Sequence, residues 1–266
     1  MTILVMGATG AQGGAVARRL VAEGHSVRGF GRSGEVPAGV EPVTGPLEAA
    51  LDGVSHVSLV LPMLLERAEV DRWVEIVAGS GVRRVVFNTA NRIPPAATDV
   101  ALFESRRAAS DALLASGVPT VVLRPPVYLD NLRAPWVAGR LAAERVLSYP
   151  LPADLPVAWI SHDDLAAATV AALTRDGLED DVLDIGGPAS LTGPQLAAAF
   201  GATYEAQDVA AFQEGLTHAF GPEVASVVAA TYHWLAKHGG DLYETDPTAA
   251  ERLGIRFTPV HEWIAA

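Results

Sequence analysis

The chain has 266 residues, enough for one large α/β domain or a core with a smaller region packed on it. It contains no cysteine, which excludes disulfides, thiolate metal sites and thiol nucleophiles, and its formal charge of −12 excludes phosphate backbones, and so nucleic acid, as a partner. All but one of its nineteen basic residues are arginine; Lys237 is the sole lysine.

Ile3 to Met6 is an apolar run ending at Gly7, and Ala15 to Leu20 continues at helical spacing, which predicts strand, glycine turn, helix. The N-terminus has no basic leader, and the longest apolar stretch, Val57 to Leu65, is broken by Ser58 and Pro62, far short of the roughly 20 residues of a membrane span. A cytoplasmic protein without membrane contact is expected. Further strands are predicted at Ser26 to Gly31, Val54 to Leu61, Arg84 to Asn88 and Pro119 to Arg124. Helices are predicted between them at Leu65 to Ala78 and at Asp99 to Ser116, the latter capped by Asp99. Strands alternating with helices predict an α/β fold, a doubly wound parallel sheet of Rossmann type.

After Pro126 the rhythm changes. Pro135, Pro150, Pro152 and Pro156 interrupt the chain, and only Val157 to Ile160 and Val182 to Ile185 read as strands. Val209 to His218, Glu223 to His238 and a short stretch after Pro259 read as helices. The expected division is a Rossmann core over 1–150 and a smaller, mainly helical substrate region over 151–266, with 157–185 partly returning to the core.

The segment Gly7-Ala8-Thr9-Gly10-Ala11-Gln12-Gly13-Gly14 lies between the first strand and first helix, where a dinucleotide loop belongs. Its glycines permit a tight turn and close approach of the main chain to a pyrophosphate, which the helix N-terminus then meets with free N–H groups. Gly7, Thr9, Gly10, Ala11, Gln12 and Gly13 are accordingly candidate cofactor contacts. Where an NAD-binding protein usually carries an acid for the ribose 2′-hydroxyl, about 20 residues on, this chain has Gly31-Arg32-Ser33. A guanidinium at Arg32, beside Ser33, suits the extra phosphate of NADP, so NADP (NADPH) is the expected cofactor.

The glycine segment through Arg18, followed by Gly24-His25-Ser26-Val27-Arg28, resembles the NmrA-like branch of the atypical short-chain dehydrogenase/reductase family. Ser116 to Pro126, Tyr128 to Asn131, Ile160 to Ala166 and Gly186 to Thr192 resemble later family markers, so the likeness spans residues 2 to about 200. The resemblance implies strand order 3-2-1-4-5-6, NADP over the strand ends and a C-terminal region closing a substrate cleft. It also implies that Leu61 and Pro62 lie beside the cofactor, that Thr89 holds the hydroxyl-bearing active-site position, and that Pro125, Pro126 and Val127 approach the nicotinamide amide. One departure stands out: the family's Gly-Asp-Leu pattern after the third strand reads Gly45-Pro46-Leu47, with a shortened helix after it.

Reductases of this superfamily use a tyrosine and a lysine four residues later as proton relay. The matching positions read Phe103 and Arg107, neither of which trades protons near neutral pH. Arg107 is a candidate for holding cofactor or a developing oxyanion, Thr89 for orienting a carbonyl, and Tyr128, just past the last core strand, for supplying a proton. His162-Asp163-Asp164 reads as the capped start of a helix, not a triad, and no metal site is predicted. Phe212, His218, Phe220, His233 and Trp234 are candidate pocket aromatics. The expected function is an NADPH-dependent reductase of a hydrophobic, aromatic or polyketide-like small molecule. A non-catalytic NADP-binding regulator and a redox-neutral isomerase or cyclase are the alternatives, and a homodimer is left open.

Overall fold

The computed structural model describes residues 1–31 and 35–266. In chain order it contains β1 (Thr2–Met6), α1 (Ala11–Ala22), β2 (Ser26–Phe30), β3 (Glu41–Val43), α2 (Leu47–Ala50), β4 (His56–Val60), α3 (Arg67–Gly79), β5 (Arg84–Asn88), α4 (Ala101–Leu114) and β6 (Thr120–Leu123). A short 3-10 turn (Leu129–Arg133), α5 (Pro135–Glu144), β7 (Val146–Tyr149), α6 (His162–Thr174), β8 (Asp181–Leu183), α7 (Gly193–Ala199) and β9 (Thr203–Ala206) follow. The chain ends in α8 (Val209–Phe220), α9 (Pro222–His238), α10 (Pro247–Leu253) and α11 (Val260–Ala265).

Among the described residues the main sheet has seven strands, all parallel, in the order β3-β2-β1-β4-β5-β6-β8. This is the Rossmann arrangement, with β8 added beyond β6. Because side chains alternate along a strand, the central strands feed two cores. Ile3, Val5, Val86 and Val121 pack with α1 and α6 on one face. Leu4, Met6, Val57, Val85, Phe87 and Val122 pack with α3 and α4 on the other. Strand order reverses between β1 and β4, and the crevice at their carboxyl ends is where such sheets bind ligands.

A third core, containing Leu132, Val137, Leu147, Tyr149, Trp159, Phe212 and Tyr232, forms a separate outer lobe. β7 pairs there with β9 in a separate two-stranded sheet. The two lobes interleave in sequence and do not divide at residue 150: the 3-10 turn, α5 and β7 belong to the outer lobe, whereas α6, β8 and α10 return to the main sheet.

Several local expectations are corrected. Val157 to Ile160 forms no strand; Ile160 bridges Tyr128 and Val157 bridges Leu191, so the segment stitches the lobes together. Pro135 starts a helix instead of breaking one, because its missing N–H falls where a helix has no intrahelical acceptor. Asp99 does not cap α4; Val100 holds the N-cap position, and the Glu104 carboxylate accepts from Thr98 N and Oγ1, each at 2.9 Å. Ser161 caps α6 by accepting from Asp164 N at 3.0 Å, while Asp164 accepts from Thr258 N and Oγ1. Gly45-Pro46-Leu47 leads into a helix of four residues, as its shortened pattern implies. Among the described residues no helix is long and apolar enough to cross a membrane.

Candidate functional site

One cleft of about 1240 Å³ runs from the glycine loop, past the ends of β4, β5 and β6, into the outer lobe. At its first end, Gly7 adopts φ +72°, and a Cβ on Gly13 would stand 2.3 Å from the Gly7 carbonyl oxygen, so neither position admits a larger residue without moving backbone. Gly10 is the N-cap of α1 and supplies no side-chain cap, which leaves the first N–H groups of α1 available to an anion. This cradle fits a diphosphate. Gly7, Thr9, Gly10, Ala11, Gln12 and Gly13 all lie on the cleft wall, with Leu61, Pro62, Thr89 and Pro126. Pro125 does not, and Arg32 and Ser33 lie outside the described residues.

The centre of the cleft is a polar seam. Gln12 Oε1 accepts from Asn88 Nδ2 at 2.8 Å and from the Tyr128 hydroxyl at 3.2 Å, tying the cofactor loop to the ends of β5 and β6. Burial raises the Tyr128 phenol well above its ordinary value, so it stays protonated and serves as a donor. Thr89 is 1% exposed, and its hydroxyl lies 2.6 Å from the Asn91 carbonyl and 3.1 Å from that of Leu123. Its single hydrogen is thus engaged by backbone, which corrects the expectation that it orients a substrate carbonyl.

Arg107 is also corrected. Its guanidinium donates to the Pro94 carbonyl at 2.6 Å, to that of Ala96 at 2.9 Å and to Glu104, and it is not part of the cleft wall. Phe103 is packed edge-on against Trp234, with ring centroids 5.5 Å apart. At about 3.6 residues per turn, α4 instead presents Leu102 and Arg106 to the cleft, one position earlier on both sides of the i, i+4 pair. Arg106 is 3% exposed and donates to the carbonyls of Leu61 at 2.9 Å and Pro62 at 3.0 Å. Burial lowers this guanidinium to about 10, and no carboxylate pairs with it among the described residues. It remains a cation at neutral pH, held by dipoles alone.

The sequence reading also missed a His–Asp pair. His162, the first residue of α6, lies with Nδ1 3.6 Å from Asp130 Oδ1, and its own N–H donates to Asp130 Oδ2 at 2.8 Å. Its ring rests against that of Tyr128, centroids 4.8 Å apart. Burial lowers the imidazole while Asp130 and Asp163 raise it, with a net shift downward. Among the described residues, His162 is the single imidazole and Asp130 the single carboxylate on the wall. The helix start was legible in sequence; that its first residue turns toward a loop 32 positions earlier was not.

The outer end of the cleft is apolar. Phe212, Leu216, Phe220, Val224 and Val228 line it together with Trp136, Tyr149 and Tyr232. Of the expected aromatics, Phe212 and Phe220 are on the wall, Trp234 packs behind it against Phe103, and His218 and His233 are exposed and off the wall. Among the described residues no group of three or more acids or histidines is placed to hold a metal.

A family model described as the NmrA-like family matches residues 1–264. The chain is 31% identical over 279 aligned residues to a (4-alkanoyl-5-oxo-2,5-dihydrofuran-3-yl)methyl phosphate reductase of Streptomyces griseus subsp. griseus, covering 99% of this chain and 96% of the relative. It is also 31% identical over 217 residues to an NAD(P)H azoreductase of Xenophilus azovorans, covering 75% of this chain and 73% of the relative. In three dimensions it is similar to an NADPH-dependent quinone oxidoreductase of Escherichia coli solved with NADPH, with a TM-score of 0.78 and 21% identity over 100% of this chain and 99% of the other.

Proposed function

The chain belongs to the NmrA-like family, and on that footing we propose that it is an NADPH-dependent reductase of a hydrophobic, conjugated carbonyl compound of aromatic or polyketide-like character. The observation that carries this reading is where apolar surface is left uncovered. Of the six large apolar side chains exposed among the described residues, Met63, Leu64, Trp136 and Phe220 are all on the wall of this cleft, Met63 and Leu64 also bordering a smaller pocket beside it. Trp136 and Phe220 meet edge to face at 6.1 Å. Exposed apolar area concentrated around a concave site is the mark of an apolar ligand. The two relatives named as reductases support the same class, and the dihydrofuranone named for one of them carries an alkanoyl chain beside a conjugated ring.

The glycine cradle and the first turn of α1 would hold the diphosphate. The preference for NADPH over NADH rests on Arg32, and it is supported by the absence of any carboxylate on the described wall beside Phe30 and Gly31. Bound there, NADPH supplies a hydride to the substrate. Arg106, a fixed cation in a water-poor wall, faces negative charge developing on the substrate oxygen. His162, oriented by Asp130, delivers a proton to the reduced substrate and is reloaded from solvent, so that one hydride and one proton are consumed per turnover.

The test is loss of NADPH absorbance with an alkanoyl butenolide and with 2-methyl-1,4-naphthoquinone. Oxidation dependent on either compound is expected. Tight NADPH binding with no oxidation by any conjugated carbonyl would sink the proposal and leave the non-catalytic regulator.

A further inference from the structure

The apolar end of the cleft contains a hydrogen-bond donor that the protein does not use. The chain has five tyrosines. Tyr128 gives its hydrogen to Gln12, Tyr204 to the Leu151 carbonyl at 2.8 Å and Tyr243 to Asn91 Oδ1. The remaining two, Tyr149 and Tyr232, share one hydrogen bond, oxygen to oxygen 2.8 Å. Asn131 Nδ2 donates to the Tyr149 oxygen at 3.1 Å and therefore takes up acceptor capacity, not a hydrogen. Two phenols carry two hydroxyl hydrogens, and one fills the bond between them. Whichever direction that bond runs, the second hydrogen has no protein acceptor among the described residues.

The place is recessed and largely apolar. Tyr149 is 1% exposed and Tyr232 8%, both are on the cleft wall, and Phe212 and Trp159 pack on their rings at 5.1 to 5.2 Å. An uncommitted donor in such surroundings is unfavourable until an acceptor meets it.

We propose that Tyr149 and Tyr232 form a subsite for a hydrogen-bond-accepting oxygen, such as a keto, quinone or lactone oxygen, carried on an otherwise apolar ligand. The inference rests on the reading of the outer lobe as the substrate end of the cleft. It makes the lobe selective: a hydrocarbon of the same shape fills the volume but leaves the phenolic hydrogen unmet, whereas an oxygenated one satisfies it. Asn131, by donating to Tyr149, keeps the free hydrogen from being absorbed within the wall.

The test is binding without turnover. Full-length protein saturated with NADP+ is titrated calorimetrically with 2-acetylnaphthalene and with 2-ethylnaphthalene, which match in shape and differ in one carbonyl oxygen. Wild type is expected to prefer the ketone by about 10-fold or more. The double variant Tyr149→Phe/Tyr232→Phe should bind both within about threefold of each other. Either single Phe variant retains one phenol with an uncommitted hydrogen, so each should keep more preference than the double, a redundancy that a packing role would not produce. An undiminished preference in the double variant, or no binding of either compound by wild type, overturns the subsite. Preference with no NADPH oxidation by any conjugated carbonyl would leave the subsite standing and remove the reductase reading.

Discussion

The Nη2 of Arg106, on α4, lies 2.9 Å from the carbonyl oxygen of Leu61 at the end of β4. One side chain therefore fixes the loop beside the cofactor cradle and places on the cleft wall a cation with no carboxylate partner among the described residues. A buried cation satisfied only by neutral dipoles is poor value for folding, since the desolvation it suffers is not repaid by a counter-charge. Its presence is better explained by an anionic state of the ligand.

Arg106→Met should therefore cost more in catalysis than in stability. It removes two donors to backbone carbonyls but also an unfavourable buried charge, so thermal unfolding should shift by only a few degrees. The rate constant kcat should fall on the order of 100-fold or more, the scale of losing a fixed stabiliser of developing charge. Arg107→Met, one residue away but outside the cleft, serves as the control and should leave kcat within about threefold of wild type. Equal losses in the two variants would return the cation's role to scaffolding.

Gly13→Ala tests the cradle. The added Cβ would meet the Gly7 carbonyl oxygen at 2.3 Å, with the Gly7 carbon at 2.6 Å, and both are backbone atoms that cannot swing aside. The first turn of α1 must shift, withdrawing N–H groups from the diphosphate. NADPH affinity measured by fluorescence titration should fall by at least about 100-fold, and unchanged affinity would place the nucleotide elsewhere.

Most of the sheet and its cradle were readable in the chain because both are local: β1, β2, β4, β5 and β6 announce themselves by apolar or β-branched runs between turn residues, and the glycine loop by its place between a strand and a helix, whereas β3, the short Glu41–Val43 edge strand, carries no such run and was not predicted. The chemistry was not readable, because it depends on long-range juxtaposition. Positions 103 and 107 match the relay by family resemblance, but the face that α4 turns to the cleft carries 102 and 106, about 100° round the helix from them. Asp130 and His162 are 32 residues apart and meet only because Ile160 bridges Tyr128. Tyr149 and Tyr232 come from β7 and α9, which no local pattern connects, and β7 itself was masked by the prolines around it.

Arg32→Glu probes cofactor choice from the sequence side. A carboxylate at that point repels a 2′-phosphate and can accept from a ribose 2′-hydroxyl. NADPH affinity should drop by about 100-fold or more while NADH affinity holds or improves, as read by parallel titrations. Equal weakening of both would refute the assignment of Arg32 to the phosphate.

His162 separates activity from stability by pH. The groups acting on it are Asp130 from the 3-10 turn, Asp163 on its own helix and Arg18 from α1, with Tyr128 against its ring, and burial dominates to hold it below the ordinary 6.5. A folded value below the unfolded one means that the unfolded chain binds more protons, so this residue's contribution to stability is full above about 6.5 and is lost as pH falls toward the folded value. Proton delivery runs the other way, because only the protonated ring donates: kcat for enone reduction should fall as pH rises through the folded value. His162→Gln should flatten both trends, lower kcat for the enone by about 100-fold, and affect quinone reduction much less, since quinol oxygens collect protons from water. A wild-type enone profile with no loss of rate on that alkaline side would remove His162 from the proton path.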